Sequence, residues 1–175
     1  MIDRREGRAW VFGDDVSTDD ILPGRYLQCS NDEVGRHVMA GIDPTLAERM
    51  RTGDILVGGR NFGCGSGRES APYAIANAGF AAVVAPSFGR VFFRNCINIG
   101  LPTIMVDRVD GIASGDPLSI DMVGRCVTNG ATGVTYLIRN LTGISLEILR
   151  AGGIVPYTVQ RIARQREEGR WSRPR

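Results

Sequence analysis

Lysine is missing altogether: all 21 basic residues of this 175-residue chain are arginines. A phosphate loop of the Gly-Lys-Ser/Thr type is therefore excluded. Histidine occurs once, as His37, which argues against a Ser-His-Asp triad. The cysteines Cys29, Cys64, Cys96 and Cys126 show no CxxC spacing, so neither a closed zinc site nor any other metal site is expected. No run of about 18 apolar residues occurs, which argues against a membrane span. The charged start, "MIDRREGRAW", lacks the apolar core of a signal peptide, so reduced thiols in the cytoplasm are the expectation. A net charge of only +2 leaves no electrostatic footprint for nucleic acid or an anionic membrane.

What is present suits one compact domain over residues 1–175, with the charged N-terminal residues and the tail beyond residue 165 flexible. The segment "RAWVFGDDV" reads as a strand running into a turn, and Ser17 or Thr18 caps something short before Pro23-Gly24 forces another turn. "PTLAERMRTG" carries a helical pattern capped by Asp43, with Pro44 in the first position and Gly53 as its stop. The middle reads "DILVGG" strand, "SAPYAIANAGF" helix, "AAVVAP" strand, "SFGRVFFRNCINIG" helix, "PTIMV" strand. That alternation implies parallel pairing with right-handed crossovers. Downstream, "GDPLSIDMVGRCVTNGATGVTYLI" reads as antiparallel hairpins, and the chain closes with a short helix and an amphipathic helix after Pro156. The fold class is α/β, a parallel βαβαβ part joined to antiparallel hairpins.

The stretch "NFGCGSGRESAP" sits between a strand and a helix. Amides at a helix mouth lack helical partners and favour negative charge. Gly63, Gly65 and Gly67 permit left-handed turns and close ligand approach. Arg68 adds a planar guanidinium suited to a carboxylate or phosphate. With the phosphate loop excluded, and Arg68 where a dinucleotide GxGxxG would need glycine, an organic carboxylate is the leading anion. Ser66 is either a base or nucleophile stabilised by amides and Arg68, or a capping serine. Cys64 reads as small filler rather than a reactive thiol.

Together, "FGDDVSTDDILPGRYL" and the run from "GGRNFGCGSGRESAPYAIANAGF" to "GLPTIMV" resemble the small-subunit, or swivelling-domain, part of the aconitase superfamily. The resemblance is nearest to the short form of the 3-isopropylmalate dehydratase small subunits. It implies a swivelling β/β/α three-layer domain that works with a large subunit carrying a [4Fe-4S] cluster, with no cofactor bound by this chain. It implies dehydration and rehydration of a 2-hydroxy dicarboxylic acid. Ser66 falls on the family's general base, Arg68 on its carboxylate-binding arginine, and Asp19 on an acidic position at the active-site face. Asp19 is expected to share in catalysis with Ser66, and Thr18, Gly65 and Gly67 to bind substrate with Arg68. The family loop usually reads Gly-Ser-Ser-Arg-Glu-His, so Gly67 and Ser70 depart from it. Gln28 and Cys29 fall where the family tunes specificity. A neutral amide there does not neutralise a third carboxylate, which favours an alkyl-substituted malate in leucine biosynthesis. The alternatives are a homoaconitase or another alkylmalate dehydratase small subunit, or a non-catalytic anion-binding regulatory module. Arg25, Arg90 and Arg94 read as exposed, Phe88, Phe92 and Phe93 as packing, and Asp14, Asp15 and Asp20 as turn formers.

Overall fold

The computed structural model describes residues 3–141 and 143–168. The final "GRWSRPR", expected to fray, lies outside the described residues. The strands are β1 (Arg4–Val11), β2 (Ile55–Val57), β3 (Ala82–Ala85), β4 (Thr103–Met105), β5 (Pro117–Asp121), β6 (Cys126–Asn129) and β7 (Thr135–Leu137). They form one mixed sheet in the order β4-β3-β2-β1-β5-β6-β7. The helices are α1 (Thr18–Ile21), α2 (Asn31–Val34), α3 (Leu46–Arg49), α4 (Ser70–Ala78), α5 (Arg90–Ile99), α6 (Gly143–Ala151) and α7 (Ile154–Glu167).

β1 joins the two parts. Residues 9–11 pair in parallel with β2, and residues 4–8 pair antiparallel with β5. The strand therefore begins four residues before the expected Arg8, because pairing with β5 overrides the charge of Arg4, Arg5 and Glu6. β2, β3 and β4 are parallel, joined by α4 and α5, and β5 to β7 are antiparallel, as expected.

Alternation along the buried strands makes two cores. Ile55, Val57, Ala82, Val84 and Ile104 face Leu118, Ile120, Val127 and Tyr136 of the antiparallel part, so strands pack on strands. Leu56, Val83 and Ala85 point the other way, against Ala71 and Ile75 of α4 and Phe92 and Cys96 of α5. The result is the expected three layers, β/β/α. Phe92 is core, as expected for this aromatic group.

Three boundaries differ from expectation. The helix expected after Asp43 shrinks to the single turn α3, because Asp43 accepts hydrogen bonds from the Thr45 amide (3.1 Å) and hydroxyl (2.8 Å) and closes a turn instead. α5 starts at Arg90, because residues 87–89 bond to the glycine loop: Phe62 N donates to Ser87 O (3.0 Å) and Gly89 N to Phe62 O (2.9 Å). α7 starts at Ile154, with Pro156 tolerated in its first turn. Gly79 and Gly100 end α4 and α5 in left-handed conformation, as expected. Among the described residues no helix is long and apolar enough to cross a membrane.

Candidate active site

β2 delivers the chain into the glycine loop at its C-terminal end, the end of a parallel strand where α/β folds hold ligands. The loop after β1 lies alongside and zips to it. Gly59 N donates to Gly13 O (2.9 Å), Asp15 N to Arg60 O (2.8 Å), Gly63 N to Val16 O (2.7 Å) and Thr18 N to Cys64 O (2.9 Å). Asp14 and Asp15 serve this zipper: Asp14 Oδ1 accepts from Arg60 N, and Asp15 Oδ1 from the Asn61 amide. Both sit in the turn expected at Gly13–Asp15, but their carboxylates bond across to the glycine loop rather than within that turn.

The zipper sets α1 against the glycine loop. Ser17 caps α1 through a reciprocal box with Asp20, with Ser17 N donating to Asp20 Oδ2 (2.8 Å) and Asp20 N to Ser17 Oγ (3.1 Å). Leu22, the residue before Pro23, is extended, so α1 stops after one turn. Its last carbonyls are taken by Met39 N on Ile21 (2.7 Å) and Gly41 N on Asp20 (3.0 Å).

Two contacts between α1 and the loop define the site. Thr18 Oγ1 lies 3.2 Å from Ser66 Oγ, and Arg68 donates to Asp19 Oδ1 at 2.7 Å. Thr18 is buried at 1% exposure, and Ser66 is exposed. Four of the residues expected to act together are thus adjacent in space. The loop glycines take positive φ: 75° at Gly63, 90° at Gly65 and 67° at Gly67. Among the described residues, the amides of Gly65, Ser66, Gly67 and Arg68 donate to no acceptor in the chain. The loop therefore offers N–H groups to an anion beside a serine oxygen and a guanidinium.

Gly67 has a physical reason to be glycine beyond its φ. A Cβ there would stand 2.7 Å from Cβ of Val91 on α5, so the position points at protein. Asn95, one turn after Val91, donates its side-chain amide to Gly67 O (3.2 Å). Val91 and Asn95 brace the loop, and sequence reading missed both. The signal available was their i, i+4 spacing on α5, beside the face that buries Phe92 and Cys96. Arg90 and Arg94 are exposed, as expected.

Residues 24–29 pass on the other side of Arg68, whose Nη1 lies 3.6 Å from where a Cβ at Gly24 would stand. Within this segment Tyr26 and Cys29 pack inward on Leu22, Val34 and Ala74, while Gln28 is exposed. The amide of Gln28 is therefore the group free to meet a ligand, and Cys29 is a packing residue with a half-buried thiol. His37 stacks on Tyr26 with ring centroids 3.8 Å apart, and Arg25 lies 4.7 Å over the same ring. The lone histidine thus supports the segment; eleven residues of separation gave no sequence signal for the stack.

Burial first, and then the charge of Asp15, push the Cys64 thiol up; it donates to Asp15 O at 3.3 Å. That matches filler better than a thiolate nucleophile. Burial pushes Cys96 up to about 12. Among the described residues no three His, Cys, Asp or Glu side chains gather as metal ligands.

Comparison with known proteins gives the family. The Aconitase C-terminal domain matches residues 19–108. The chain is 47% identical over 153 residues to 3-isopropylmalate dehydratase small subunit 2 of Archaeoglobus fulgidus, covering 86% of this chain and 92% of that one. It is 49% identical over 157 residues to the methanogen homoaconitase small subunit of Methanothermobacter thermautotrophicus, covering 89% and 91%. A crystal structure of 3-isopropylmalate dehydratase from Methanocaldococcus jannaschii superposes with a TM-score of 0.90 at 42% identity, covering 95% of this chain and 99% of that one. With the glycine loop inside the matched span and the likeness running nearly the length of the chain, this protein belongs to the aconitase C-terminal domain family.

Proposed function

We propose that this chain is the small subunit of a hydro-lyase that isomerises 2-isopropylmalate and 3-isopropylmalate by dehydration and rehydration. The observation that carries the reading is one glycine loop presenting Ser66 and Arg68 side by side, each bonded to a successive residue of α1. Arg68 binds a substrate carboxylate, the free loop amides receive its second oxygen or the serine oxygen, and Ser66 is the base. In dehydration the C–H bond next to the carboxylate breaks and its proton passes to Ser66 Oγ. The electron pair left on carbon forms the double bond as the C–O bond of the neighbouring hydroxyl breaks, and the hydroxyl leaves with the C–O pair as hydroxide, which takes up a proton to depart as water. Rehydration runs the same steps in reverse with the hydroxyl on the other carbon.

The residues of this chain do not fit an iron–sulfur cluster. Its four cysteines are spread over the segment after α1, the glycine loop, α5 and β6, and burial disfavours the thiolate at Cys64 and Cys96. The cluster of the proposed enzyme therefore belongs to a large-subunit partner, and the shared site closes when that subunit covers Ser66.

Gln28, exposed and neutral, favours an alkyl group over a third carboxylate, although a homoaconitase small subunit is among the relatives. The test is co-expression with the large subunit and assay of isopropylmalate, citramalate and homocitrate-type acids. Activity is expected only in the mixture and highest on isopropylmalate, with Ser66→Ala lowering kcat by about 10²–10⁴-fold. Full activity in Ser66→Ala removes the base assignment, and a mixture inactive on every acid favours a regulatory anion-binding module.

A further inference from the structure

Thr18 is a polar side chain closed off from water, 1% exposed at the first position of α1. A buried hydroxyl that donates to nothing is costly, so its hydrogen needs an acceptor. Among the described residues the one partner of Thr18 Oγ1 is Ser66 Oγ, and no buried side-chain nitrogen or oxygen is left without a partner. Ser66 is exposed, so its own hydrogen is free to turn to solvent. The oxygen positions fit either direction, and burial of Thr18 against exposure of Ser66 favours Thr18 as the donor.

We propose that Thr18 is not a substrate-binding residue but the positioning residue that prepares Ser66 to act as a base; this rests on Ser66 being the base of the reaction. A donor aimed at Oγ favours the alkoxide over the hydroxyl and lowers the serine's pKa. The donor is fixed, because Thr18 N bonds to Cys64 O at 2.9 Å and the capping box of Ser17 and Asp20 locks the turn. When Ser66 Oγ takes the substrate proton, an O–H bond replaces the C–H bond, and Thr18 goes on donating to the same oxygen. The charged and titratable groups around the pair have other partners or stand across the loop. Asp19 holds Arg68, Asp20 holds Ser17, Cys64 donates to Asp15 O, and Arg90 borders the far side of the glycine loop.

The experiment uses the reconstituted two-subunit enzyme, with kcat and KM measured across about pH 6–10. Thr18→Val keeps the shape and removes the hydroxyl, and Thr18→Ser keeps the hydroxyl. In Thr18→Val the rising limb of kcat is expected to move up by about one pH unit, with kcat at neutral pH down about tenfold and KM within about twofold. Thr18→Ser is expected to return the limb to its original place. Should the valine variant fail to fold, Thr18→Cys, with its weak donor, is expected to move the limb the same way. An unmoved limb in folded Thr18→Val or Thr18→Cys overturns the proposal. Ser66→Ala, run alongside, separates the two readings. Loss of activity there with an unmoved Thr18→Val limb defeats Thr18 alone; retained activity defeats the serine base itself.

Discussion

Strand β2 carries an aspartate–arginine pair near each end, and the two pairs are built differently. At its N-terminal end, Asp54 is 3% exposed. It accepts from Arg8 Nη2 (2.8 Å), Trp10 Nε1 (2.8 Å) and Arg51 N (2.9 Å), with Arg8 N and Nε at 3.3 Å. Beyond its C-terminal end, Asp19 and Arg68 meet through a single 2.7 Å hydrogen bond, with side chains 56% and 38% exposed. The first carboxylate has its lone pairs filled and ties β1, the segment before β2 and the strand itself together. The second leaves most of a guanidinium available to a ligand. Saturation makes a structural pair; an arginine with donors to spare makes a functional one.

The largest expected effect tests the saturated end. Asp54→Ala strips an acceptor from an indole, a guanidinium and an amide, and is expected to cost about 3 kcal/mol in denaturant melts. Burial raises the Asp54 pKa, but the hydrogen bonds from Arg8, Trp10 and Arg51 outweigh it and the net shift is downward. A carboxylate whose folded pKa is depressed gives stability that is present above its unfolded value and lost as pH falls through the lower folded one. Wild type should therefore lose stability on acidification below the ordinary aspartate range, and Asp54→Ala should lose less over that window. Catalysis by the folded fraction should not change.

At the other end, Arg68→Lys keeps the charge and loses the planar fork. A drop of about 30–100-fold in kcat/KM of the reconstituted enzyme is expected, with the melt unchanged. A melt that falls with the activity would mean that Arg68 is structural too, and the contrast between the ends would collapse.

How legible these ends were follows from what sequence records. Parallel pairing of β2, β3 and β4 followed from apolar runs alternating with helices closed by Gly79 and Gly100, because those signals are local. The loop carrying Ser66 and Arg68 was legible for the same reason: its glycines, serine and arginine lie within a few residues. The Asp54 network was not, since Arg8 and Trp10 are more than forty positions away and nothing local distinguishes a saturated aspartate from a turn aspartate. The contact between Thr18 and Ser66, and the burial of only one of the two hydroxyls, were also hidden, because the residues are 48 positions apart. Gly67 reads in sequence as a missing serine. In space it is a left-handed residue facing Val91.

Gly67→Ala tests that last point at intermediate size. A positive φ and a Cβ driven toward Val91 are expected to cost about 1–2 kcal/mol, part of it recovered by Val91→Ala in the double variant. A neutral Gly67→Ala would show that the loop has another backbone available, and that its glycines are less committed than the zipped structure implies.

Asp19→Asn is expected to do least to the fold and is the most discriminating of the set. An exposed pair contributes about 0–1 kcal/mol, so the melting transition should stay within error of wild type, unlike that of Asp54→Ala. Asparagine keeps an oxygen for Arg68 to donate to and removes the charge that competes with a substrate carboxylate. KM should fall about two- to fivefold at low ionic strength, and the gap should narrow as salt screens both charges. A rise in KM would instead make Asp19 an orienting group whose charge the substrate needs, moving it from competitor to part of the binding machinery. Either way the size of the change in KM, set against a silent melt, measures how much of the Arg68 guanidinium is held in reserve at this end of β2.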